Sequence, residues 1–164
     1  MKKLPIGIQS FKKLRESNYL YADKTAYIYK MIQSEGSIFL SRPRRFGKSL
    51  LVSTLEELFL GNKELFQGLW IDTSGYDYEP YPVIHLDMNK FSTVSLELFR
   101  KDLLSELKAI LSGEGLREDD VSLGALLGKL IQQMSEKYKK RVVLLIDEYD
   151  KPILDNLHTG RGWK

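Results

Sequence analysis

Gly47, Lys48 and Ser49 have the types and the order of a loop that binds the phosphates of a nucleotide. The glycine lets the backbone approach a phosphate closely, and the free N–H groups of a following helix receive the negative charge. Lys48 would then reach the terminal phosphates, and the Ser49 hydroxyl would ligate Mg²⁺. The sequence therefore predicts a phosphate site centred on this triplet.

The residues around the triplet depart from the usual phosphate-loop pattern at one position. The pattern G-x-x-x-x-G-K-[ST] would place a glycine at Arg42. An arginine fits there only if its φ is negative and its side chain points away from the phosphates. The two arginines that follow form a basic turn, which would also raise the local concentration of anions. The predicted phosphate-binding residues are Arg44, Arg45, Phe46, Gly47, Lys48, Ser49 and Leu50.

A second segment places two acids directly after an apolar run. Residues 142–146 are typical of a buried parallel strand, and Asp147 and Glu148 follow at its carboxyl end. Because ligands of α/β sheets lie outside the carboxyl ends of the strands, Asp147 is placed to hold the Mg²⁺ shell. Glu148 is placed to polarise an attacking water. We therefore expect one crevice in which the backbone amides around Gly47 face Asp147.

Both motifs also have a plain structural interpretation. The triplet would fit an ordinary helix start, and the two acids would fit a solvated strand end or a helix cap. Strand and helix patterns in the right order around both motifs favour the nucleotide site.

The rest of the chain predicts the elements that position these residues. Ser10 is predicted to cap a short helix that carries Phe11 and Leu14. Asp23 is predicted to cap a second helix whose apolar face holds Tyr27 and, with it, Met31, Ile28 and Ile32. The alternation of strands with helices argues for a parallel sheet. Helical spacing marks residues 48–60, 96–110 and 123–134, and strand patterns mark 37–40, 83–88 and 142–146.

Composition limits the class of protein. The chain has 164 residues, 43% of them hydrophobic, which fits one soluble globular domain. We expect a helical lead-in at 1–35, an α/β core at 36–155 and a poorly ordered tail at 156–164. The absence of cysteine excludes disulfides and thiolate metal sites, and the net charge of +3 gives no argument for nucleic acid. No signal peptide or membrane span is visible, so a cytoplasmic location is expected.

Three segments carry a resemblance to a known family: 21–25 (YADKT), 42–50 (RPRRFGKSL) and 145–152 (LIDEYDKP). They resemble the AAA-ATPase-like proteins, bacterial P-loop proteins that commonly carry a PD-(D/E)XK-type nuclease domain at the C-terminus. The resemblance implies a P-loop NTPase-type parallel sheet flanked by helices, with ATP and Mg²⁺ as ligands. It implies phosphate and Mg²⁺ roles for Lys48, Ser49 and Asp147, and a base at Glu148. The role of the first segment is open, and a helix cap at Asp23 is its simplest interpretation.

Members of that family continue past the third segment through a further strand, a helical lid and usually the nuclease region. This sequence ends at Lys164. The resemblance therefore predicts a sheet truncated after the strand 142–146, without a central strand. We expect a fragment or a natural truncation, and self-association by strand exchange would cover the exposed edges.

Two functions follow from the sequence. The first is an ATP–Mg²⁺-binding domain of a P-loop ATPase, in which water attacks the γ-phosphate but which is incomplete for hydrolysis in this chain. The second is a non-catalytic module that oligomerises or associates with nucleic acid beside the family's nuclease domain. A small-molecule kinase fits less well, because the loop Tyr76–Tyr81 offers no acceptor-binding pattern. The tyrosines of the loop 73–82 either stack on a base or pack at the domain edge.

Overall fold

The computed structural model describes residues 2–34, 36–43, 45–114 and 122–158. The chain divides into two compact units, residues 1–83 and residues 84–164. The structure confirms a mixed α/β fold with a small parallel sheet and flanking helices. The helices and strands in chain order are α1 (Phe11–Glu16), α2 (Thr25–Ile32), α3 (Lys48–Phe59), β1 (Val83–Asp87), α4 (Leu96–Gly113), α5 (Leu123–Tyr138), β2 (Val143–Asp147) and α6 (Lys151–His158).

The first helix of unit 1 forms as its sequence predicts. The Ser10 hydroxyl accepts a hydrogen bond from the Lys13 backbone N–H at 3.2 Å, which satisfies one of the free donors at the start of α1. Phe11 and Leu14 are fully buried. The predicted cap and the predicted apolar face are therefore both confirmed.

An aromatic cluster forms the core of unit 1. Phe66, in a short 3₁₀ helix, is fully buried and lies 4.9 Å from Phe11 and 5.7 Å from Tyr78 between ring centroids. Leu58 of α3 is also fully buried in this cluster. The helix that begins at Lys48 is therefore fixed at its far end by a packed core.

Asp23 and Thr25 tie the start of α2 to a second 3₁₀ helix, Trp70–Thr73. Asp23 Oδ1 accepts hydrogen bonds from the backbone N–H of Thr25 at 2.8 Å and from its hydroxyl at 2.7 Å. Asp23 Oδ2 accepts from the Trp70 N–H at 2.7 Å, and Thr25 Oγ1 accepts from the Ile71 N–H at 3.1 Å. The N-cap residue of α2 is Lys24 rather than the predicted Asp23, which accepts from the first helical N–H from one position further out. The segment 21–25 thus has a structural role that extends to residues 46 or 47 positions away.

The hydrogen bonds that Asp23 accepts depend on pH, because its carboxyl group titrates. Burial raises the pKa of the Asp23 carboxyl, but hydrogen bonds from the Thr25 hydroxyl and from the N–H groups of Trp70 and Thr25 outweigh it, so the pKa lies below its usual 3.8. A carboxyl whose pKa is depressed by folding stabilises the folded state at pH values above its pKa in the unfolded chain. This stabilisation is lost as the pH falls through the pKa of the carboxyl in the folded state. Asp23→Asn is therefore expected to lower the stability by about 1 kcal/mol at pH 7, with a difference that shrinks below pH 3.8.

Thermal unfolding of both proteins between pH 7 and pH 2 measures that difference. Glu64→Gln removes an exposed carboxylate of the same unit and is the control. A wild-type advantage over Asp23→Asn that stayed constant across the whole range would contradict the assigned role.

Unit 2 packs two amphipathic helices against the parallel pair β1 and β2. The hydroxyls of Ser95 and Ser122 cap α4 and α5 by accepting from backbone N–H groups. The core combines both helices with β1 through the buried side chains of Ile84, Leu86, Leu103, Leu107, Leu111, Leu126, Leu130 and Met134. The predicted spans 96–110 and 123–134 are thus confirmed as helices. The predicted strand 83–88 is confirmed but one residue shorter, and the predicted strand 142–146 is confirmed but shifted by one residue.

Three expectations were wrong. Residues 37–40 form no strand, because the sheet of the described residues pairs β1 with β2 and does not include them. β2 is not buried on both faces, since Leu144 and Ile146 are 37% and 42% exposed. Tyr27 does not belong to the buried face of α2, which is formed by Thr25 and Ile28 instead.

The remaining sequence predictions fall partly outside the described residues. Arg44 and residues 159–164 of the tail are not described. The single-domain boundaries stay a prediction. Within the described ranges, every helix is too short or too polar to traverse a bilayer.

Candidate functional site

The start of α3 presents free backbone donors. Gly47 precedes the helix in a left-handed conformation with φ +76°, and no side chain caps it. The first helical N–H with a partner is that of Leu51, which donates to the Gly47 carbonyl at 3.0 Å. The N–H groups of Lys48, Ser49 and Leu50 therefore have no intrahelical acceptor. Together with the helix dipole of a 12-residue helix, they favour an anion at this position.

The Lys48 side chain crosses the predicted loop. Its Nζ donates a hydrogen bond to the backbone carbonyl of Arg42 at 2.9 Å, six residues upstream. The ammonium group is thereby held beside the loop backbone, where the phosphate-loop pattern requires a positive charge. Arg42 is not among the residues with positive φ, so the backbone condition for an arginine at the usual glycine position is met.

The turn before α3 contains a second left-handed residue. Arg45 has φ +68°, a conformation that costs a residue with a Cβ about 1 kcal/mol or more. Phe46 is 63% exposed, so burial of its ring does not hold this turn in place. Strained backbone of this kind is concentrated at ligand-binding sites. An alanine Cβ at Gly47 would meet no atom within 4 Å, so the space above the turn is open.

The acidic segment lies at the end of β2 in unit 2. Asp147 is the last residue of the strand and only 7% exposed. Its Oδ1 accepts a hydrogen bond from the Glu148 N–H at 2.9 Å, and the second carboxylate oxygen offers further lone pairs to a ligand. Glu148 has φ +52° and is half-buried, so this turn is also strained.

The two predicted magnesium ligands belong to different units, Ser49 to unit 1 and Asp147 to unit 2. Among the residues that the structure describes, no group of three His, Cys, Asp or Glu side chains could hold a metal ion. Mg²⁺ usually keeps several waters and is bound by one or two protein oxygens plus phosphate oxygens. Each of the two side chains carries an oxygen donor of that type, and its role as a Mg²⁺ ligand stays a prediction.

The structure thus groups the predicted residues at two places. Arg45, Phe46, Gly47, Lys48, Ser49 and Leu50 lie together at the start of α3 in unit 1. Asp147 and Glu148 are neighbours at the end of β2 in unit 2. Arg44 lies outside the described residues.

Sequence reasoning missed two features of these turns. The left-handed conformations of Arg45 and Glu148 have no sequence signal, because asparagine, aspartate and glycine are the usual residues there. The bond from Lys48 to the Arg42 carbonyl was also missed. The sequence feature that could have indicated this bond is the short loop between the two residues, which a lysine side chain can span.

Comparison with known proteins covers nearly the whole chain. The family model described as "Predicted AAA-ATPase" matches residues 5–163. The chain is also similar to an "Uncharacterized protein in vnfD 5'region" of Azotobacter chroococcum mcd 1, with 41% identity over 157 residues. That match covers 95% of this chain and 30% of the relative, so the chain spans about a third of the relative's length. No solved structure matches the chain.

Proposed function

Since this chain belongs to the family of predicted AAA-ATPases, we propose that it binds ATP with Mg²⁺ at the start of α3. The observation that supports this most directly is the position of Lys48. Its ammonium group lies against the loop backbone at the uncapped end of a helix. A positive side chain and free backbone donors at one point are what the β- and γ-phosphates of a nucleotide require.

The residues of both motifs have complementary roles in this proposal. Residues 45–50 contact the phosphates, and Lys48 neutralises their charge. The phosphate-binding role of Arg44 stays a prediction from the sequence. Ser49 supplies an oxygen ligand to Mg²⁺, which when bound would reduce the charge on the β- and γ-oxygens. The roles of Asp147 as a Mg²⁺ ligand and of Glu148 as the group that orients the attacking water stay predictions from the sequence. Hydrolysis is a proposal for the whole protein, because this chain spans 30% of its relative.

Partners and location belong to the same proposal. The family resemblance supports self-association and a nucleic-acid partner. The contacts of the described residues give no further support for either. The cytoplasmic location expected from the sequence stays a prediction.

Lys48→Ala is expected to abolish the stabilisation of the chain by Mg²⁺–ATP. A ligand at about one hundred times its dissociation constant adds about 2.7 kcal/mol to the free energy of unfolding. Removal of the ammonium group should reduce that gain to a small fraction, since the bound phosphate loses its main counter-charge. Thermal unfolding with and without Mg²⁺–ATP measures both gains.

Lys12→Ala removes an exposed lysine of α1 in the same unit and is the matched control. This variant should keep the full gain in stability. No gain in the wild-type chain would overturn nucleotide binding and favour the non-catalytic interaction module. An equal gain in Lys48→Ala would place the nucleotide elsewhere in the protein.

A further inference from the structure

Unit 1 contains a cavity near the opposite end of α3 from Lys48. Its volume is about 350 Å³, within the range of small-molecule sites. Phe59, the last residue of α3, lines it. With a rise of about 1.5 Å per residue, the helix separates Phe59 from Lys48 by roughly 16 Å. The cavity is therefore distinct from the loop to which we assign the nucleotide.

Four aromatic side chains line the cavity as two edge-to-face pairs. The rings of Tyr29 and Tyr76 lie 6.4 Å apart with an interplanar angle of 89°. Those of Phe59 and Tyr81 lie 6.1 Å apart at 87°. Rings at right angles to each other offer no pair of parallel faces between which a planar base would stack, whereas a compact group can contact such rings at different points on its surface. The ring geometry therefore favours a rounded ligand over a nucleobase.

The charge at the cavity favours a positive ligand. Asp77 lines the cavity with an exposed carboxylate, and Glu79 follows two residues later. Burial raises the pKa of the Tyr76 hydroxyl to about 12, with a further contribution from the charge of Asp77. The tyrosine is therefore neutral at physiological pH, and the only formal charge from these two side chains is negative.

The adjoining aromatic cluster already holds a cation from the chain itself. The Lys63 ammonium lies 5.7 Å from the centroid of the Tyr78 ring. That ring meets Tyr76 edge to face, at 5.0 Å between centroids. Cations within about 6 Å of an aromatic face are attracted by the negative potential of the ring, and aromatic cages for quaternary ammonium groups use this attraction.

We propose that this cavity binds a small alkylated ammonium ion, with its methyl groups against Tyr29, Tyr76 and Tyr81 and its charge beside Asp77. Alkyl groups on the nitrogen replace its hydrogen-bond donors, which lowers the free energy needed to transfer the ion out of water. The faces of the rings and one carboxylate then supply the complementary negative potential. Binding needs no nucleotide, so this proposal and the nucleotide proposal can fail independently.

Titration of the whole chain with choline tests the proposal, with isothermal calorimetry or NMR shifts as the measurement. The control ligand is 3,3-dimethylbutan-1-ol, which has the shape of choline with carbon in place of the charged nitrogen. Choline should bind saturably at constant ionic strength. The neutral alcohol should bind at least about fivefold more weakly, which corresponds to about 1 kcal/mol for the cation–π term.

Matched variants of α2 locate the site. Tyr29→Leu should weaken choline binding at least about fivefold, whereas Tyr29→Phe, which keeps the ring, should bind as the wild type does. Tyr27→Leu changes a residue of the same helix that is 74% exposed and should also have no effect.

Three results would overturn the proposal. They are no saturable binding of choline, equal affinity for choline and the neutral alcohol, and unchanged choline binding by Tyr29→Leu. The Tyr29→Phe variant shows whether a loss in Tyr29→Leu comes from the missing ring: if both variants lose binding equally, the aromatic face is not the determinant.

Discussion

Phe66→Ala is expected to lower the free energy of unfolding of unit 1 by about 3–5 kcal/mol. Phe66 is fully buried between Phe11 and Tyr78, and its removal leaves a cavity among rings that cannot collapse into it. The loss combines the transfer free energy of the ring with the cost of the void. Urea unfolding followed by circular dichroism, without nucleotide, measures the change from the shift in the midpoint.

Phe46→Ala is the matched control, since it removes the same side chain from a position that is 63% exposed. Its effect on the free energy of unfolding should stay within about 0.5 kcal/mol in the absence of nucleotide. A loss for Phe66→Ala below about 1 kcal/mol would mean that the aromatic cluster is not the core of unit 1. In that case α3 would have to be held by other contacts.

Helices with a capping residue and a strong apolar period could be predicted from the sequence. Ser10 and the spacing of Phe11 and Leu14 locate α1, because both signals arise from the helix itself. Gly61 ends α3 with φ +78°, a conformation that glycine adopts without strain. Such elements depend on neighbours three or four residues away, which the sequence shows directly.

The strand predicted at 37–40 shows that residue type alone does not predict a strand. Ile38 and Phe39 have the residue types of a strand, yet they are 51% and 70% exposed and belong to no strand among the described residues. Strand formation depends on a partner that is distant in sequence, and residue type gives no information on that partner. The bond from the Ile71 N–H to Thr25 Oγ1 is a contact of the same distant kind and was missed for the same reason.

Some residues of the candidate site and of the cavity could be predicted from the sequence, and others could not. Gly47, Lys48 and Ser49 could be recognised because their chemistry requires fixed residue types at fixed spacing. The tyrosines of the loop 73–82 left two interpretations open, of which stacking on a base stays a prediction. Tyr78 is buried in the core, whereas Tyr76 and Tyr81 line the cavity. The difference arises from the path of the backbone, including φ +54° at Tyr78, which residue type does not predict.

The path of that loop also makes Gly61 the glycine with the least tolerance for a side chain. A Cβ at Gly61 would lie 2.8 Å from the Tyr78 carbonyl oxygen and 3.3 Å from Pro80 Cβ. The loop cannot withdraw freely, because the Tyr81 N–H donates to the Phe59 carbonyl at 2.7 Å. Gly61→Ala is therefore expected to destabilise unit 1 by about 3 kcal/mol, from about 1–2 for the left-handed backbone and about 1–3 for the collision.

Gly68→Ala separates these two causes. Gly68 has φ +74°, close to that of Gly61, but an added Cβ would meet no atom within 4 Å. Its alanine variant should lose only the backbone part, about 1–2 kcal/mol, in the same urea measurement. Because Phe59 and Tyr81 also line the cavity, Gly61→Ala should weaken choline binding, and Gly68→Ala should leave it unchanged. Equal losses of stability in the two variants would show that the loop 78–81 does not press on the end of α3, and the walls of the cavity would then lack the support that we assign to them.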